Sequence, residues 1–462
     1  MTPIKSLWLA GALAILSGPA LAVETINYPA LGNVTIYQPS GPPKEFVIFV
    51  SGDGGWNLGV VSMAQHLAAE GAFVAGVDIN AMGKQLLASR AACVYPAETL
   101  EALSHFVQQK YGIKRYESPI LVGYSSGATV VYATLAQSPG GTFEGAVSLG
   151  FCPDLGWSKP MCRGEGLEHD PGARVGFVYR PATRMGDPWI VLQGDQDQVC
   201  DPEQTRQFVA KVPGAQAMML PKVGHGYSVE RNWLPQFLAA FHRISDAPGS
   251  ARPALPAAVT DLPLVELHAT GAGDDLLAIM LSGDGGWAGL DKEVARELTA
   301  RGVPVVGWDS LRYFWDPRTP EGAASDLDRV IRHYTQAWNR SQVLLIGYSQ
   351  GADTMPFMAN RLPEESRRLV KSTALIALST EAFFEFHVSH WLGTPTGGLP
   401  TLPELESVRL GPVVCIRGFD ESDSPCREIH RAGFREVTLP GGHHFDGDYA
   451  RVAQAILETL PR

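Results

Sequence analysis

Short, unbroken apolar runs recur along the chain, separated by helix-compatible stretches and bounded by glycine, proline or acidic residues. Runs that do not alternate with polar residues are strands covered on both faces, as in a parallel sheet between helix layers. In the second half the pattern predicts strands at Leu276 to Leu281, Val303 to Asp309, Val343 to Tyr348, Ala374 to Leu378, Val413 to Arg417 and Glu436 to Leu439. Helices are expected at about Leu290 to Ala300, Gly322 to Trp338, from Ala352 onward, and at Tyr449 to Leu460. This alternation predicts an α/β fold whose functional residues stand at the carboxyl ends of the strands. Thr380 to Val408 breaks the rhythm; it is long, aromatic and proline-rich, and its position is that of a lid. Cys152 to Asp187 is its counterpart in the first half, with an unrelated sequence.

The pattern runs twice. Phe46 to Trp56 reads FVIFVSGDGGW and Leu276 to Trp287 reads LLAIMLSGDGGW, sharing one hexapeptide. LVGYSSGAT around Ser125 returns as LLIGYSQGAD around Ser349, and IVLQGDQDQVC returns as VCIRGFDESDSPC. The separation from Ser125 to Ser349 equals that from Gly194 to Gly418, and each half reaches a Gly-His near its end, at His225 and His443. The chain therefore reads as a tandem duplication. The expected boundaries are a leader over 1–22, a first domain over 23–245, a Pro/Ala-rich linker over 246–262 and a second domain over 263–462.

Residues 1–22 carry Lys5, the apolar run Leu7 to Leu16 and the small-x-small site Ala20-Leu21-Ala22, the pattern of a cleaved export signal. Six cysteines in an exported chain are disulfide candidates. Cys415 and Cys426 pair by necessity if the halves fold separately; Cys93, Cys152, Cys162 and Cys200 leave three connectivities, with Cys152 to Cys162 the shortest loop. No spacing suits zinc, and no cofactor is expected. A net charge of −11 without a basic block argues against nucleic acid as a partner.

A Gly-x-Ser-x-Gly directly after a β-run and before a helix is the nucleophile elbow of an α/β-hydrolase. A serine hydroxyl needs a base, and the base needs a carboxylate to hold its tautomer, in the chain order Ser, acid, His. Ser125, Asp197 and His225 meet that order in the first half and form a second candidate set. In the second half Ser349 is the nucleophile, and two acids compete. Counting from Gly418 selects Glu421, whereas counting back from the cysteines selects Asp423, which is preferred. His443 follows glycine as His225 does, and His444 matches when counted from the preceding proline; His443 is preferred. The repeated SGDGGW loop follows the strand after which hydrolases place an oxyanion-hole amide, implicating Gly283, Asp284 and Gln350, and Gly52 to Gly54 with Ser126 in the first half. Asp284 could also face a cationic substrate.

SGDGGW, GYSQGAD, the acidic strand end before Cys426 and LPGGHHF resemble the AcvB/VirJ family of bacterial periplasmic virulence-associated proteins, over nearly the whole mature chain. The resemblance implies a two-domain α/β-hydrolase with a VirJ-type region over about Leu276 to Leu460, and the two long segments are read as a lid insertion in each copy. It implies an exported serine hydrolase acting on the aminoacyl ester of lysyl- or alanyl-phosphatidylglycerol at the periplasmic face of the inner membrane, peripheral to that membrane. A link to secretion-system proteins also attaches to the family, which leaves a non-catalytic binding or assembly role as the alternative. Carried across, the nucleophile is Ser349 and the base His443, with His444 as rival. Asp353 or another acid would meet the substrate's ammonium. Phe383, Phe384, Phe386 and Trp391, with Tyr313, Phe314 and Trp315, would form an apolar lipid entrance or the core of the lid.

Overall fold

The computed structural model describes residues 22–89, 92–138, 140–164, 166–172, 176–246, 258–269, 275–386, 397–422, 424–445 and 448–458. Besides a two-stranded and a three-stranded sheet in the connecting segments 381–400 and 154–179, its strands assemble into two large sheets, one per half. The first contains Ala22–Tyr28 (β1), Gly32–Gln38 (β2), Glu45–Val50 (β3), Ala72–Val77 (β4), Ile120–Tyr124 (β5), Gly145–Leu149 (β6), Trp189–Gly194 (β7) and Gln216–Leu220 (β8). Their spatial order is β1-β2-β4-β3-β5-β6-β7-β8. The second contains Leu264–Leu267 (β9), Leu276–Leu281 (β10), Val305–Trp308 (β11), Gln342–Tyr348 (β12), Val370–Ile376 (β13), Val413–Gly418 (β14) and Phe434–Leu439 (β15), in the order β9-β11-β10-β12-β13-β14-β15. From β3 and β10 onward all neighbours are parallel. Each sheet is closed at one edge by antiparallel strands, β1 and β2 in the first and β9 in the second.

The two-sided burial read from the apolar runs is what the strands show. Every residue of β4 and of β10 is buried, and each sheet carries one apolar cluster on either face. The covering helices that matter for the site are Leu58–Ala69 (α1), Pro96–Lys110 (α2), Ser126–Gln137 (α3), Gly289–Ala300 (α4), Pro320–Ala337 (α5), Gln350–Asn360 (α6) and Tyr449–Leu457 (α7).

Residues 1–21, which hold most of the expected leader, lie outside the described residues. So do 247–257 of the expected linker; Val259 and Leu262, also assigned to it, are buried in the second core, and Arg329 clasps Asp261 at 2.6 Å. The disulfides are Cys93–Cys162, Cys152–Cys200 and Cys415–Cys426, so the shortest first-half loop is not the one closed.

Five of the aromatics expected at an entrance, Tyr313, Phe314, Trp315, Phe384 and Phe386, are buried in packing instead. Phe314 and Phe384 pack edge-on in the second core, and Tyr313 is buried beside them. Trp315 stacks on Phe386, and both join Tyr116 and Leu311 in a cluster between the two halves. Hydrogen bonds reinforce that seam: Trp315 Nε1 donates to the Ile113 carbonyl at 2.9 Å and Gln109 Nε2 to the Phe386 carbonyl at 2.6 Å. His105 of α2 stands edge-on to Phe386, and burial pushes its imidazole down to about 3. Large aromatic faces are worth more against each other than against water, so packing claims them. Trp391 falls in 387–396, outside the described residues.

Candidate active site

Both serines sit where a strand turns directly into a helix. Ser349 links β12 to α6 with φ 51° and ψ −120°, and Ser125 links β5 to α3 with φ 56° and ψ −124°. A non-glycine residue holds such a left-handed backbone only when its surroundings enforce it. The glycines are the enforcement: a Cβ on Gly347 would lie 2.3 Å from the Gly351 carbonyl oxygen, and one on Gly351 2.4 Å from that of Leu281.

In the second half His443 Nε2 lies 3.0 Å from Ser349 Oγ, and its Nδ1 lies 2.8 Å from Glu421 Oε1. The other oxygen of Glu421 accepts the Gly418 N–H at 2.7 Å. Burial raises the Glu421 carboxyl, but the bonds from His443 and Gly418 and the Arg417 charge outweigh it and hold the group below its ordinary value. Glu421 thus occupies the orienting position, which corrects the preference for Asp423; that residue lies outside the described residues. His444 is turned aside, its Nδ1 3.0 Å from the Tyr348 hydroxyl.

The SGDGGW loop is held from beneath. Trp287 lies flat over Gly307 of β11, where a Cβ would come within 2.5 Å of the ring, and Trp56 covers Gly76 of β4 in the same way. Ser282 Oγ accepts the Ser310 N–H at 2.9 Å, and the Gly351 N–H donates to the Ser282 carbonyl at 3.1 Å. These anchors bring Gly283 against the nucleophile, with 3.3 Å between Ser349 Cβ and the point a Gly283 Cβ would occupy. Gln350 opens α6 immediately after the serine, at a helix N-terminus suited to developing negative charge.

Asp353 does not face the nucleophile's open side. It is buried, its Oδ1 accepts the Ser379 N–H at 2.7 Å, and burial pushes its carboxyl well above the ordinary range, with Ser379 opposing only in part. The acids that do face that side come from elsewhere. Ser349 and His443 open into a cavity of about 1130 Å³ whose wall includes Asp284 and Asp291 from the second half and Glu98 and Glu101 of α2 from the first. Arg163, Arg184 and Arg296 also stand on this wall. Glu101 touches cavity solvent but is enclosed by protein, and burial, reinforced by the charges of Asp284, Glu98 and Asp309, pushes it up to about 8. Asp291 is 2% exposed and its Oδ1 has no hydrogen-bond partner. Sequence reasoning found Asp284 but neither Asp291 nor the two glutamates, since no local motif marks a helix of one repeat as the wall of the other.

In the first half Ser125 Oγ lies 2.9 Å from His225 Nε2, and His225 Nδ1 lies 2.8 Å from Asp197 Oδ2. Asp197 also accepts from Gln193 Nε2 at 2.9 Å, from the Val199 N–H at 2.8 Å and from the Cys200 N–H at 2.9 Å. Asp197, Cys200 and His225 are close enough to suggest a metal, but the Cys200 sulfur is committed to Cys152 and offers no thiolate.

The profile of a family described as bacterial virulence protein (VirJ) matches residues 44–147 and 275–462. Among solved structures, the esterase domain of a Rhodothermus marinus protein is 16% identical, with 49% of this chain and 98% of that one covered and a TM-score of 0.34. An α/β serine hydrolase homologue from Coxiella burnetii is 19% identical (49% and 96% covered, TM-score 0.32). A Xanthomonas campestris α/β serine hydrolase without lid is 18% identical (52% and 99%, TM-score 0.32). No curated protein sequence matches the chain.

Proposed function

This chain belongs to the VirJ family of bacterial virulence proteins, and from that premise we propose that it is a periplasmic serine hydrolase cleaving the aminoacyl ester of lysyl- or alanyl-phosphatidylglycerol at Ser349. The observation that carries this reading is the cavity in which the Ser349–His443 pair shares a wall with Asp284, Asp291, Glu98 and Glu101. An aminoacyl ester brings an ammonium within a few bonds of its carbonyl, so a site for it needs carboxylates beside the nucleophile. Asp291 is buried on this wall and burial pushes its carboxyl well above the ordinary range, so a cation bound beside it would favour its charged form.

In this mechanism Ser349 Oγ attacks the ester carbonyl while His443 Nε2 takes its proton, and Glu421 steadies the resulting imidazolium. The oxyanion meets the amides at Gly283 and Gln350. His443 then protonates the departing glycerol oxygen of the lipid, leaving an aminoacyl-serine that water, activated by the same histidine, releases as the free amino acid. Glycerophospholipid and amino acid are the products, and no cofactor takes part. The three disulfides suit an oxidising compartment.

The test is release of amino acid from aminoacyl-phosphatidylglycerol in vesicles. Ser349→Ala should abolish it, and unchanged turnover would overturn the proposal. A binding or assembly role without catalysis predicts instead that a fluorophosphonate probe labels neither serine of the folded chain.

A further inference from the structure

We propose that Ser125 is the nucleophile of a second, independent hydrolase site, acting on esters with an uncharged apolar acyl group. This does not rest on the reading of Ser349.

Four observations converge on it. The Ser125 backbone is held at φ 56° by the same crossing of glycines: a Cβ on Gly123 would lie 2.2 Å from the Gly127 carbonyl oxygen, and one on Gly127 2.3 Å from that of Val50. Strain of this kind persists where the surroundings over-determine it. The serine, base and acid are joined at 2.9 and 2.8 Å, the geometry of a working relay rather than a residual resemblance. The acid is more firmly set than Glu421: its side chain is fully buried and receives Gln193 and two backbone N–H groups besides His225. One of those N–H groups belongs to Cys200, which Cys152 ties to the segment following β6. The disulfide therefore fixes the loop that positions the carboxylate.

The fourth observation concerns the substrate. Leu58 is 86% exposed, Val199 67% and Val229 45%; Leu58 opens α1 directly after the loop with the oxyanion glycines, and the other two stand on the loops carrying the acid and the base. Ser62, one turn into α1 from Leu58, bonds Glu230 beside Val229 at 2.6 Å, which brings two of these loops together. The Cys152 sulfur approaches the Val199 carbonyl at 3.8 Å, bringing the third to the segment after β6. Exposed apolar side chains on or directly after all three catalytic loops favour an apolar group beside the scissile carbonyl. The charged wall at Ser349, with acids and arginines together, has the opposite character. In the reaction Ser125 Oγ bonds to the carbonyl carbon as its proton passes to His225 Nε2. The alcohol leaves with that proton, and water, deprotonated by His225, frees the acid.

The test uses full-length chain and its serine variants with a fluorophosphonate probe read by intact mass. Wild type should take two adducts, Ser349→Ala one and the double variant with Ser125→Ala none. Ser349→Ala should hydrolyse p-nitrophenyl butyrate, and adding Ser125→Ala should remove that activity. A folded Ser349→Ala chain that takes no probe and leaves the butyrate ester intact would overturn the proposal. For substrate class, Leu58→Ser with Val199→Ser in the Ser349→Ala background should lower the butyrate-to-acetate rate ratio by roughly 3- to 10-fold. An unchanged ratio would overturn the apolar assignment. Replacing Cys152 and Cys200 together by serine should slow labelling at Ser125 at least several-fold with Ser349 labelling retained; equal labelling of both would remove the clamp from the argument.

Discussion

Replacing Glu421 by glutamine probes the second-half relay at its most specific point. The wild-type carboxylate accepts at both oxygens, from His443 Nδ1 at 2.8 Å and from the Gly418 N–H at 2.7 Å. Glutamine is the same size and has one acceptor and one donor end. With its oxygen kept on the Gly418 N–H, its amide nitrogen faces His443 Nδ1 and donates to it. That bond selects the tautomer with the proton on Nε2, the nitrogen 3.0 Å from Ser349 Oγ, which can then no longer accept the serine proton. Loss of the negative charge also withdraws support from the imidazolium. Comparable acid-to-amide changes in serine triads cost about 10⁴-fold in kcat, or roughly 5 kcal/mol of barrier at 1.36 kcal/mol per decade. We expect Glu421→Gln to lower kcat for ester hydrolysis by about 10³- to 10⁴-fold, with KM little changed. Asp423→Asn should stay within a few-fold of wild type. The assay is steady-state hydrolysis in the Ser125→Ala background, with the melting temperature as a check on folding. A near-normal Glu421→Gln together with a crippled Asp423→Asn would refute the assignment.

Other outcomes follow from the cavity and the sheet. Glu101, pushed up to about 8, is neutral below that pH and charged above it, so KM for a lysyl ester, whose side-chain ammonium stays charged there, should fall as pH rises through about 8, a trend Glu101→Gln should flatten. The same shift bears on stability. Between its ordinary range and about 8 the folded chain holds a proton that the unfolded chain has released, so the group's contribution weakens as pH rises through that window. Glu101→Gln should therefore raise the melting temperature relative to wild type more at pH 8.5 than at pH 5, read by thermal scans. Gly307→Ala forces a methyl to within 2.5 Å of the Trp287 ring and should cost about 1–3 kcal/mol in denaturant unfolding. Trp315→Ala empties the seam between the halves; because α2 supplies the cavity wall, it should raise KM for the aminoacyl ester more than it slows probe labelling of Ser349.

The apolar runs foretold the parallel strands of the second half to within a few residues, because a strand buried on both faces leaves no room for polar positions. The antiparallel strands β1, β2 and β9 carry no such run: they close sheet edges, and β1 is largely exposed. The two elbows were legible because the turn is a local steric problem that only glycine beside serine solves. The acid was not. Counting back from cysteine compared positions that are not equivalent, for Cys200 bonds to Cys152 in another segment whereas Cys426 bonds to Cys415 in the adjoining strand. Only the fold shows that Glu421 reaches His443, that Asp353 turns beneath Ser379, and that α2 of the first repeat walls the cavity of the second. Motif spacing constrains what lies a few bonds or one strand away; contacts between repeats depend on how two finished surfaces meet, and no stretch of chain encodes that alone.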